Sequence, residues 1–235
     1  MAGLFLFPFL RSDILLGMNF LNLCQPYTVC EHGLYIGGYL FVIGVIVLIN
    51  RLLRKTKKIH PEITRKIPHI LSGLIVIQAA ISLPKTFYLI FLAILTLGAL
   101  MSYRHKKLFP GVYSVSRKSY GTILYPLTLL VLATILLPTN TGAFLYGAMM
   151  MILVDGPTAI VGSAFGKKIH PYEKSVVGSV TFFILGSIIG YLLGIELFLA
   201  IVFSLIITIH EFFVRWGLDN FTIPVLSAVL WLVFL

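Results

Sequence analysis

VDGPTAIVGSAFGKKIHPYEKSVVGS, residues 154–179, places one aspartate, three lysines and four glycines between two apolar stretches, 142–153 and 180–193. The reading of this segment decides the fold. An aspartate inside a hydrophobic run, followed by a basic loop and another hydrophobic run, is the pattern of two membrane-spanning helices joined on a polar face. The rest of the chain agrees. Its 235 residues are 59% hydrophobic and 11% charged, with mean hydropathy +1.01, whereas a soluble domain is about half apolar and a quarter charged.

Apolar runs near the ~20 residues needed to cross a ~30 Å hydrocarbon core fall at 33–50, 67–83, 86–101, 121–137, 142–165, 178–193, 195–210 and 221–235. The expected fold is therefore all-α, a polytopic transmembrane bundle of seven or eight spans. Residues 1–32 form an N-terminal segment that either adds a span or lies in the interface, and 33–235 form one domain. Arg11 and Asp13 interrupt the first apolar residues, so a cleavable secretory signal is not expected. Cys24 and Cys30 either form a disulfide or remain free.

The formal charge of +10 does not point to nucleic acid. The loops 51–66, 102–120, 164–177 and 211–220 carry seven, five, three and one Lys or Arg, 16 of the 18 in the chain, and the span count puts all four on one side. That side is cytoplasmic by the positive-inside rule, and the charge also draws anionic lipid.

Spans that start at this face are preceded by polar clusters: Arg65-Lys66 with His69, Arg117-Lys118-Ser119, Lys174-Ser175, and Asp219-Asn220. A helix N-terminus leaves about four N–H groups unpaired and carries about half a positive charge, so gathered starts with added lysine and arginine suit a phosphate. Ser119 and Ser175 are either N-caps or phosphate contacts.

Asp155 is the sharpest feature. With the span starting at Gly142, a rise of ~1.5 Å per residue puts it about 20 Å from the outer edge and within roughly 10 Å of the cytoplasmic edge. An ionisable group there is functional by default; the plainer alternative is a helix cap. Gly156-Pro157 follows, and proline disfavours helix in the residue before it, so a broken span is expected, with Pro157 opening a half-helix that faces an anion. A carboxylate beside an anion calls for a cation between them. Mg²⁺ suits, because it takes one or two carboxylates and completes its shell with water and phosphate. Glu211 and Asp219 are candidate further ligands or solvated loop charges; Glu62 and Glu173 read as loop charges. Gly162 serves either close helix packing or the site. Pro68 is expected to open its helix, so that Arg65 and His69 need not share a face; His69 is a satisfied polar residue, a phosphate contact or a base.

Two motifs fail. Gly162–Lys167 is one residue short of a P-loop and has Lys168 where Ser or Thr belongs. His210-Glu211 lacks the second histidine of a zinc motif.

RKIPH (65–69), SYGTILYP (119–126), DGPTAIVGSAFGKKIHPYEKSVVGS (155–179) and GLDNFTIP (217–224) together resemble the CTP-dependent lipid kinases: dolichol kinase, phytol and farnesol kinases and the fungal diacylglycerol kinase. The resemblance spans about 65–225. It implies transfer of the CTP γ-phosphate to a membrane-embedded alcohol with Mg²⁺ or another divalent cation. Carried over by position, Asp155 matches the family's acidic residue, Gly162 and Gly166 its glycines, Lys174 and Ser175 its Lys-Ser pair before Gly178, Arg65, Lys66 and His69 its Arg-Lys-x-x-His element, and Asp219 and Asn220 its late Asp-Asn. Taken with the residue reading, the expected catalytic residues are Asp155, Lys174 and His69, the expected nucleotide or phosphate contacts Arg65, Lys66, Ser119, Gly162, Gly166, Lys167, Ser175 and Gly178, and the expected metal ligands Asp155, Asp219 and Glu211. Two positions depart from the family: Thr158 stands where a small Ala is common, and Val177 where an acidic residue often precedes the glycine. The competing expectations are a phosphatidate cytidylyltransferase, disfavoured because Lys167-Lys168 is followed by Ile169, and an anion transporter, disfavoured because no inverted repeat is evident.

Overall fold

The computed structural model describes residues 29–55, 61–105, 119–169 and 174–235. Helices occupy every expected span: α1 (Val29–Lys55), α2 (Pro61–Ser82), α3 (Lys85–Arg104), α4 (Gly121–Leu136), α5 (Thr141–Met149), α6 (Gly156–Phe165), α7 (Val176–Leu192), α8 (Leu197–Phe213) and α9 (Asp219–Phe234). Helices α5 and α6 are one rod, joined through the π-helical stretch Met150–Asp155. Among the described residues three rods are long and apolar enough to cross a membrane by length and composition, Val29–Arg54, Lys85–Arg104 and Thr141–Phe165. Helices α4, α7, α8 and α9 are apolar but have 16 or 17 residues, so they fit a bilayer with snorkelling ends or local thinning.

The rod Thr141–Phe165 is the axis of the bundle. Its apolar window is 67% buried, against 11% for α1 and 22% for α3. Phe144, Leu145, Met151 and Ile152 face a core shared with α2, α3 and α4. Tyr146, Met150 and Val154 face a second core with Phe182, Phe203 and Ile223 from α7, α8 and α9. Small residues let helices approach: a Cβ on Gly147 would stand 2.6 Å from the Pro224 carbonyl oxygen, the close packing expected where lipid supplies no hydrophobic drive between helices.

Two local expectations are corrected. The rod is irregular at Gly156-Pro157 but not severed. A proline removes its N–H and crowds the carbonyl four residues back; the wider π turn just before it accommodates that defect and keeps the rod helical. Pro68, expected to open α2, lies inside it, and the helix begins at Pro61. Arg65 and His69 therefore share a face at i, i+4. Buried Thr64 and Lys66 show why the turn before Pro68 stays helical: tertiary contacts override the local preference. Cys30 is an exposed free thiol; Cys24, Arg117, Lys118, Glu173 and residues 1–28 lie outside the described residues.

The connections around Pro84, Asn140 and Gly194 are short. Asn140 accepts from Ala143 N at 2.9 Å and Glu196 from Leu199 N at 3.1 Å, capping α5 and α8. The described residues that flank the basic stretches, among them Arg54, Arg65, Arg104, Lys174 and Arg215, stand at the opposite helix ends.

Candidate active site

Helix α2 brings three charged groups in its first two turns. Glu62 sits in the first turn, where a carboxylate complements the helix dipole, and accepts an ion pair from Arg65 one turn on. Lys66 points inward and is 1% exposed. Its ammonium meets Asp155 Oδ2, and both side chains are buried. Asp155 makes no cap bond to α6, so the capping alternative does not hold: its Oδ2 takes the Lys66 ammonium instead.

His69, the next turn of α2, donates from Nε2 to the Met151 carbonyl oxygen at 3.1 Å. A carbonyl can only accept, so this nitrogen carries the proton. The ring packs on Tyr125 with centroids 4.3 Å apart, and Tyr125 Oη donates to the His69 carbonyl at 3.3 Å. His69 therefore braces the π-helical stretch that ends at Asp155, and it does not itself line the cleft described below.

Between α6 and α7 the chain packs tightly. Ser175 is the N-cap of α7, accepting from Gly178 N at 3.1 Å, and it donates to the Gly162 carbonyl at 3.2 Å. A Cβ on Gly162 would lie 2.9 Å from Ser175 Oγ and 3.2 Å from Gly178 Cα, and one on Gly166 2.3 Å from Ser175 Oγ. These glycines make room for the cap. The backbone of Ile169 donates to Lys174 O at 2.7 Å, closing the loop and fixing Lys174 at the head of α7. Its ammonium pairs with Glu211 from the end of α8 and lies 3.6 Å from Asp219 Oδ2 at the start of α9. Burial opposes the charge on Lys174, but Glu211, Asp219 and Asp155 outweigh it and hold the group well above the usual lysine value.

The Asp219-Asn220 pair divides its work. Asp219 faces Lys174, whereas Asn220 Nδ2 donates to the Gly121 carbonyl at 2.8 Å and ties α9 to the start of α4. Ser119 Oγ accepts from Gly121 N at 3.3 Å, a cap-like bond. Beside it, the α8–α9 turn takes a left-handed path at Trp216 and Gly217, φ 59° and 78°, and a Cβ on Gly217 would reach 2.5 Å from Gly121 N.

These groups surround one cleft at the end of the bundle where α2, α4, α7 and α9 begin. Arg65, Lys66, Asp155, Gly162, Lys174, Ser175, Gly178, Glu211 and Asp219 line it; His69, Ser119, Gly166 and Lys167 do not. Lys167 and Lys168 are both exposed, and of the two only Lys168 lines the cleft. Glu62, read from sequence as a loop charge, also belongs to it, as do Thr158 and Ser179. A Glu one residue after Pro61 and three before Arg65 was the available signal, and it depended on starting the helix at Pro61.

Four carboxylates and four cations share the cleft, so its formal charge is balanced. Among the described residues no three acidic, imidazole or thiol groups form a closed metal cluster. The donors still fit Mg²⁺, which needs only one or two carboxylates when phosphate and water complete the shell; Asp155, Glu211 and Asp219 are carboxylates on this cleft.

No protein-family model matches the chain. No solved structure matches it. Over 201 residues it is 30% identical to the phytol kinase of Synechocystis sp. (strain ATCC 27184 / PCC 6803 / Kazusa), covering 80% of this chain and 86% of that protein. A helical membrane bundle with a mixed-charge cleft at one end, and this similarity, define a phosphotransferase that acts on a lipid alcohol. The chain belongs to the CTP-dependent lipid kinase family that includes the phytol kinases.

Proposed function

We propose that the protein transfers the γ-phosphate of CTP to the hydroxyl of a membrane-embedded alcohol on the cytoplasmic side. The similarity to a phytol kinase favours an isoprenoid alcohol over diacylglycerol. The observation that carries the reading is that Arg65, Lys66, Asp155, Lys174, Glu211 and Asp219, distant in sequence, meet on one cleft. The positive-inside distribution of Lys and Arg supports the sidedness.

Phosphoryl transfer asks a protein mainly for alignment and for neutralisation of charge on the transferred group. Lys174, Arg65 and Lys66 bind phosphate oxygens, aided by the N-terminus of α7 with its Ser175 cap and Gly178. Asp155 with Asp219 or Glu211 would hold Mg²⁺, which would supply positive charge to neutralise the triphosphate. The acceptor oxygen forms its bond to the γ-phosphorus as the β–γ bridge breaks, CDP leaves, and the hydroxyl proton passes to Asp155, which lines the cleft. His69 acts through the π-helical stretch as a positioning residue. The depth of Asp155, level with Lys66 in the second turn of α2 and about 15 Å from the Phe165 end of its own rod, suits a meeting of soluble nucleotide and lipid headgroup.

Purified protein in detergent, given γ-labelled CTP or ATP and a panel of isoprenoid alcohols and diacylglycerol, tests this. Labelled lipid with CDP release is the expected outcome. Release of pyrophosphate with a cytidylated lipid overturns it in favour of cytidylyl transfer.

A further inference from the structure

The cations Arg65, Lys66 and Lys174 each have a carboxylate partner, yet the cleft contains hydrogen-bonding groups that have none. Hydroxyls in apolar helices ordinarily satisfy themselves on the carbonyl one turn back. Thr96, Thr134, Thr181, Thr208 and Ser227 do so at 2.7–2.8 Å. Thr158 and Ser179 depart from this habit, as does Thr128 away from the cleft. Their hydroxyl oxygens are buried and have no hydrogen-bond partner among the described residues, and the same holds for Arg65 Nε. Thr158 is 4% exposed, and both hydroxyls line the cleft.

A buried hydroxyl left unpaired is costly enough that native structures rarely keep one without a use. Thr158 follows Asp155 by three residues, so the two share a face of the rod, with Thr158 about 4.5 Å nearer the basic-loop end. Ser179 projects from the first turn of α7, next to Gly178, whose missing side chain lets α7 approach: a Cβ there would lie 3.7 Å from the Thr158 carbonyl oxygen.

We propose that the Thr158 and Ser179 hydroxyls, with the Arg65 Nε–H, form the donor set for the terminal phosphate of the nucleoside triphosphate. The proposal rests on the kinase reading of the cleft. Three donors suit a phosphate, which presents three acceptor oxygens, better than a single alcohol hydroxyl. Their position above Asp155, between Arg65 and the α7 N-terminus, is on the nucleotide side and not on the lipid side.

The test is binding of CTP and CMP to the purified full chain in detergent, together with KM for each substrate, in the wild type and in Thr158→Val, Thr158→Ser and Ser179→Ala. Valine keeps the shape and removes only the hydroxyl. Thr158→Val and Ser179→Ala should each weaken CTP binding about tenfold, the scale of one hydrogen bond to a charged group. CMP affinity and the lipid KM should be unchanged, and Thr158→Ser should retain CTP binding. Unaltered CTP affinity in Thr158→Val, an equal loss for CMP, or a change confined to the lipid KM would each overturn the assignment. A wild-type protein that binds neither CTP nor ATP would instead overturn the kinase reading of the cleft, and the donor set with it.

Discussion

Lys66 and Asp155, 89 positions apart in sequence, form a buried ion pair between the second turn of α2 and the last residue of the π-helical stretch. Removing one partner of such a pair leaves an uncompensated charge and costs about 3–5 kcal/mol, whereas replacing both with apolar groups is often neutral. Asp155→Asn and Lys66→Met should each lower the unfolding temperature in detergent, and Lys66→Met/Asp155→Leu should recover much of it. All three should lose lipid phosphorylation. Full activity in Asp155→Asn would remove Asp155 from the chemistry.

Lys174 joins the ends of α8 and α9 through Glu211 and Asp219. Lys174→Met should reduce transfer about 10²–10³-fold, the scale of removing one charge-stabilising donor. Its pKa is raised above 10.5. A group raised in the folded state contributes stability that is complete below the unfolded pKa and is lost only as pH climbs through the higher folded value. Any alkaline decline between about pH 7 and 10 is then not Lys174 deprotonating. The check is the pH–rate profile of Lys174→Arg, whose alkaline limb should run parallel to that of the wild type.

Glycine substitutions should separate site from scaffold. Gly147→Ala drives a Cβ to 2.6 Å from the Pro224 carbonyl, a backbone atom that cannot swing aside, and should cost about 1–3 kcal/mol without changing nucleotide KM. Gly162→Ala presses on Ser175 Oγ at 2.9 Å, so it should disturb the α7 cap and raise nucleotide KM. Kinetics and thermal melts of the two variants, compared side by side, distinguish these outcomes.

Adjacent residues at the start of α9 should behave differently. Asn220→Ala removes the bond to the Gly121 carbonyl, and losing this hydrogen bond between α9 and α4 should cost about 0.5–1.5 kcal/mol with little effect on KM. Asp219→Asn should instead impair transfer and shift the metal requirement, because Asp219 faces Lys174 and the cleft. A magnesium titration of activity, with unfolding temperatures alongside, tests both.

Most of the membrane architecture was legible residue by residue. Runs of apolar side chains, interrupted at Lys85, Asn140 and Glu196 on one side and by basic loops on the other, mark out helices because a bilayer accepts only segments of fixed length with their backbone bonds satisfied internally. The motif positions also marked out much of the cleft, since Lys174, Ser175 and Asp219 stand at helix starts whose chemistry is local. Pro68 and Gly156-Pro157 were misread for a common reason: a proline reports only its own lost bond, whereas the helix around it is held by buried Thr64 and Lys66 or eased by a π turn.

The sequence alone determined the order of the apolar helices from residue 33 onward, their polar ends, and the residue types available for phosphate and metal, because hydropathy and helix-terminus chemistry act over a few residues. The tertiary structure alone decided that Lys66 finds Asp155, that Lys174 is shared by Glu211 and Asp219, that Glu62 joins the cleft while His69 braces its floor, and that Thr158 keeps an unspent hydroxyl. Those outcomes depend on which faces of distant helices meet, and that is set by side-chain packing across the bundle and not by any local stretch of chain.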